Sequence, residues 1–170
     1  MVLSLFIVSN LLGQEQDPLD TLIAMKLPSS VKKSEFVSLK MKKVGKAKSS
    51  GVSLNTHRGN LYETSTGVIQ INAARGKPEK DRLVNMEKGL KEMYGWEKQK
   101  YFTSEIKSIN NFKVLLINYQ HLGEDIGRVL FLTVNNKEDI VMSGAMEYEE
   151  GSSQQALKDL NEFLKGITFK

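Results

Sequence analysis

The residues able to do acid–base or metal chemistry are few and scattered. The chain has two histidines and no cysteine. His57 and His121 fall in separate loop-like stretches, with no H-x-H or H-E-x-x-H spacing around either. A lone loop histidine is ordinarily solvated. Zero cysteine removes disulfides, zinc–thiolate sites, iron–sulfur clusters and thiol catalysis. No G-x-S-x-G elbow, phosphate-binding glycine loop or dinucleotide fingerprint occurs. The paired acids Glu124-Asp125 and Glu138-Asp139 sit in expected hairpin turns, where acids bond the local backbone. The sequence therefore nominates no catalytic residue, no metal ligand and no cofactor.

Two features remain as candidate binding surfaces. From Lys26 to Lys48 the chain carries many lysines and one acid, Glu35. Lys40, Lys42, Lys43 and Lys46 form the densest part, a candidate face for an acidic envelope protein or an anionic surface. The alternative is a solvated edge that discourages strand-to-strand aggregation. Tyr94, Trp96 and Tyr101 form an aromatic group beside a helix end. They are candidates for lining a ligand groove, or for packing that end onto a sheet.

The elements that must position these residues follow from pattern. Leu22 to Leu27 reads as a strand stopped by Pro28. Phe36 to Met41 is a strand or one short helix. Gly45 to Gly67 reads as long loops with short extended pieces. Val68 to Ile71 is a strand reaching toward Ala74. Pro78 suits a first helical turn, and Leu83, Met86, Leu90 and Met93 form an apolar stripe over a helix 79–94, closed by Gly95. Four strands follow, over 102–109, 112–120, 128–134 and 139–148. Their short connections imply an antiparallel meander. Ser152 and Gln155 make a capping-box pattern for a last helix. Ala156, Leu157, Leu160, Phe163 and Leu164 line its face, Gly166 ends it, and an extended tail, Ile167 to Phe169, closes the chain.

Length and composition agree with one α+β domain over 22–170. The chain has 170 residues, 40% of them hydrophobic, and a net charge of +4. A domain of roughly 150 residues buries about 70% of its unfolded surface and needs no covalent staple. The charge excess is too small and too diffuse for a nucleic-acid binder. Met1 to Gly13 holds no charged side chain and is apolar over most of its length, and polar Gln14-Glu15-Gln16-Asp17 follows. The run is too short to span a bilayer, which takes roughly 20 residues. It matches the hydrophobic region of a signal peptide. We expect cleavage between Gly13 and Gln14, a flexible stretch over 14–21, and a periplasmic or secreted product.

The order of elements resembles the PsbP-like fold group, which includes PsbP, Mog and DcrB-type proteins. The likeness rests on a strand ending at Leu27-Pro28, a loop region, a strand at 68–71, a helix over 79–94, the meander, and a last helix ending in Leu164-Lys165-Gly166-Ile167-Thr168-Phe169. The resemblance implies an antiparallel sheet sandwiched by helices (an α/β/α sandwich) and a non-enzymatic role in binding or stabilising other proteins. It carries no functional residue onto this chain. The resulting expectation is an exported accessory or binding protein. Alternatives are a carrier of a small apolar or amphipathic ligand between sheet and helix, or a hydrolase using His57 or His121.

Overall fold

Val114, Leu115, Leu116 and Ile117 are all buried, although successive strand residues point to opposite faces. Both faces of the sheet are therefore covered, and the strand reads as an unbroken apolar run. The computed structural model describes residues 19–36, 38, 39, 42, 60–94 and 99–170. Met1 to Pro18, His57, Gly95 and the lysines Lys40, Lys43, Lys46 and Lys48 lie outside them.

In chain order the elements are α1 (Leu19–Leu22), β1 (Ile23–Met25), β2 (Lys32–Lys33), β3 (Asn60–Glu63), β4 (Gly67–Arg75), α2 (Arg82–Tyr94), β5 (Gln99–Ile109), β6 (Phe112–His121), β7 (Ile126–Val134), β8 (Ile140–Glu149), α3 (Ser153–Lys165) and β9 (Ile167–Phe169). Seven strands form one antiparallel sheet in the order β2-β3-β4-β8-β7-β6-β5. β1 and β9 pair separately, Ala24 opposite Thr168. The α+β class and the meander β5–β8 are as the pattern predicts.

Each face has its own core. On one, Leu160, Phe163 and Leu164 of α3 pack with Val114, Leu116, Val129, Phe131, Met142 and Met146. Leu22 and Ile23 close the same layer. On the other, Leu83 and Leu90 of α2 pack with Leu115, Ile117, Leu130, Leu132 and Val141.

Several local expectations change. Leu19 is buried in the first core, inside the stretch expected to be flexible, because α1 turns its apolar residues onto the sheet. α2 starts at Arg82 rather than near Pro78, since Asp81 takes a left-handed φ of 60° that interrupts the helical path. Met93 is 48% exposed, so the stripe on α2 buries only its first three members fully or partly. Ser152 makes no side-chain cap, and Gln155 instead donates to Asp159 at 2.8 Å. Gly166 is right-handed, at φ −76°, not the left-handed cap that helix-terminal glycine usually supplies. It is required for closeness instead: a Cβ there would strike the carbonyl oxygen of Lys26 where β9 turns onto β1.

Candidate binding face

One row of residues crosses the α2 face, one from each strand of the large sheet. Strand register sets Lys32 opposite Glu63, Glu63 opposite Val68, Val68 opposite Glu147, Glu147 opposite Arg128, Arg128 opposite Tyr119, and Tyr119 opposite Phe102. Charges alternate along its first five strands except at Val68. Cross-strand neighbours of opposite sign attract at this spacing, so the row supports its own register.

Two acids in the row hold Leu39 and Lys42. Glu147 accepts the backbone N–H of Leu39 on Oε2 at 2.9 Å. Its Oε1 accepts Arg128 Nε at 3.3 Å. Arg128 also pairs with Glu124 at the β6–β7 turn. Glu63 takes Lys32 at 2.8 Å and Lys42 at 3.1 Å. The N–H of Lys42 donates to Ser38 O at 3.1 Å, one helical turn of the strand-or-helix alternative. Leu39 is buried.

The electrostatics hold Glu63 and Arg128 in their charged forms. The Lys32 ammonium, with Lys42 behind it, keeps the Glu63 carboxyl below the usual carboxylate range despite burial. Burial alone would lower the Arg128 guanidinium, but Glu124 and Glu147 outweigh it and raise it further. A carboxylate held charged by two cations is a poor proton donor near neutral pH. Among the described residues no three or more metal-ligating side chains come together.

Of the four lysines singled out in the sequence, Lys42 is the one described, and its ammonium is engaged by Glu63. Lys40, Lys43 and Lys46 lie outside the described residues. Glu63, Glu147 and Arg128 were not singled out. The signal that could have found them is the alternation around them: Arg128 and Glu147 interrupt runs of apolar residues.

The three groove aromatics are not all described. Trp96 and the side chain of Tyr94 lie outside the described residues. Tyr101 is on the α3 face, opposite to α2. A bulge between Gln99 and Tyr101 sets it beside Gln120. There its hydroxyl meets that of Tyr148, which in turn donates to Asn118 Oδ1, and Asn118 Nδ2 donates to Ser153 Oγ at 3.0 Å. Burial, then the Tyr148 contact, pushes the Tyr101 phenol up, so it stays protonated. This network ties β5, β6 and β8 to the start of α3.

Under α2 the sheet leaves an apolar cavity of about 20 Å³, lined in part by Met86, Leu90, Ile117 and Leu130. Small-ligand sites are typically about 300–1,000 Å³. His121 sits against Tyr119, ring centroids 5.3 Å apart and edge-on, a packing role. The paired acids are turn residues: Glu138 has φ 57°, and Asp139 accepts Asn135 Nδ2 at 2.7 Å.

No family model matches this chain, and no curated protein matches its sequence. Among solved structures, one from Bacteroides thetaiotaomicron superposes over 87% of this chain with a TM-score of 0.52 and 14% identity. The chain spans 45% of the length of that protein, and the likeness is one of fold. The solution structure of cyanobacterial PsbP (CyanoP) from Synechocystis sp. PCC 6803 superposes with a TM-score of 0.48 and 6% identity, covering 92% of each chain.

Proposed function

We propose that this chain is an exported, non-catalytic accessory or binding protein of the cell envelope. The observation that carries the reading is how the charged groups of the α2 face are used. Glu147 binds Arg128 and the backbone of Leu39, and Glu63 binds Lys32 and Lys42, so these acids hold Leu39 and Lys42 to the sheet. Residues already held in place, as Leu39 and Lys42 are, lower the ordering cost of docking. Export rests on the apolar run Met1 to Gly13 and the polar stretch after it. The partner is an acidic protein surface or anionic envelope surface, met by Lys40, Lys43 and Lys46.

A carrier role would require the small space under α2 to widen many-fold.

The test is site-directed cross-linking from the lysine segment in intact host cells. The wild-type chain should give a defined adduct in the envelope fraction. The triple variant Lys40→Glu, Lys43→Glu, Lys46→Glu should lose it at unchanged thermal stability. An undiminished adduct from the triple variant would sink the lysine face as the docking surface.

A further inference from the structure

β5 ends the seven-stranded sheet, and its outer side has no partner strand among the described residues. It is eleven residues long, Gln99 to Ile109. Ile109 faces Phe112 across the two-residue turn Asn110-Asn111, Asn110 having φ 50°. In such a hairpin the residues flanking the turn exchange hydrogen bonds, and the pattern then alternates. Ile109, Lys107 and Glu105 therefore turn their backbone groups toward β6. Ser108, Ile106 and Ser104 turn theirs outward. An open row of this kind templates pairing with another strand. The bulge near Lys100 blunts only its first residues.

The side chains select the occupant. Glu105 and Lys107 share the α3 face as an ion pair of 3.0 Å, with 57% and 32% of their side chains exposed. Ile106, between them, is half-buried on the α2 face. When two copies pair antiparallel about a two-fold axis, the axis passes through a residue. Centred on Ile106, each Glu105 lies opposite the second copy's Lys107, and the two Ile106 side chains meet. Centred on Glu105 or Lys107, like charges lie opposite. Centred on Ser104, Glu105 meets Thr103 and Lys107 meets Tyr101, so no charge faces its opposite. The edge is thus complementary in charge to itself in one register.

We propose that the protein forms a homodimer by antiparallel β5–β5 pairing centred on Ile106, which joins two sheets into one. The pairing spans Thr103 to Ile109 of each copy, and Ser104, Ile106 and Ser108 supply the backbone hydrogen bonds.

The test is sedimentation equilibrium on the full chain and three variants across the micromolar range. The wild type should be a dimer. Glu105→Lys alone, or Lys107→Glu alone, sets like charges opposite each other twice and should raise the dimer dissociation constant about tenfold or more. The double variant Glu105→Lys, Lys107→Glu restores opposite signs and should return to the wild-type value. That return also controls for folding. A monomeric wild type, or single variants that dimerise as the wild type does, would overturn the proposal.

Discussion

The ring of Tyr148 occupies the space a Cβ would take at Gly127, its neighbour across β7 and β8. Gly127 is there for room, since nothing in its backbone angle requires glycine. Tyr148 is fully buried and holds Asn118 through its hydroxyl. Gly127→Ala should therefore destabilise the protein by about 1–3 kcal/mol through overpacking. Tyr148→Phe should cost about 1–3 kcal/mol through the polar partners it leaves at Asn118 and Tyr101. Urea unfolding should show both as a lower midpoint at unchanged slope.

Tyr62 presents the opposite case. Its side chain is 1% exposed against Phe163, ring centroids 5.3 Å apart, and its hydroxyl has no hydrogen-bond partner among the described residues. Removing a buried, unsatisfied polar group relieves its desolvation cost. Tyr62→Phe should leave stability unchanged or raise it by about 1 kcal/mol, whereas Phe163→Ala should lower it by about 3–5 kcal/mol. A fall in thermal midpoint for Tyr62→Phe would mean that the hydroxyl has a partner.

Glu63 gives the fold an acid-sensitive element. Its folded pKa lies below the ordinary 4.5, mainly through Lys32. The carboxylate form is therefore the one that folding favours. Its contribution is fully present above the ordinary value and is lost as pH falls through the lower, folded value. Glu63→Gln should flatten the decline of the thermal midpoint below about pH 4.5. An acid limb identical to that of the wild type would show that Glu63 is not its source.

Glu147 should control the hold on Leu39. With Glu147→Ala, Leu39 loses the acceptor of its N–H. Hydrogen exchange followed by NMR should show protection lost at Leu39 and kept at Val114 to Ile117, which lie in the sheet interior. Loss at both places would mean global rather than local loosening.

The parts of this fold legible in the sequence are those whose signal is local. The hairpins of β5 to β8 are marked by turn residues between apolar runs, and α3 by the spacing of Ala156, Leu160, Phe163 and Leu164. The row Lys32–Glu63–Val68–Glu147–Arg128–Tyr119–Phe102 was not legible. Its members are far apart in the chain and meet only through strand register, which depends on all seven strands at once. The start of α2 differs from its pattern because Pro78 is an acceptable first-turn residue, while the left-handed Asp81 leaves no mark in composition. Tyr101 was expected near α2 because it follows that helix closely. A single-residue bulge turns it to the other face.

The most direct test of the central reading, an exported accessory protein, is native mass spectrometry of the chain recovered from its own host, with envelope and cytoplasm taken separately. The account predicts the mature chain, Gln14 to Lys170, in the envelope fraction and in complex with a partner. The intact chain from Met1, found in the cytoplasm, would contradict it.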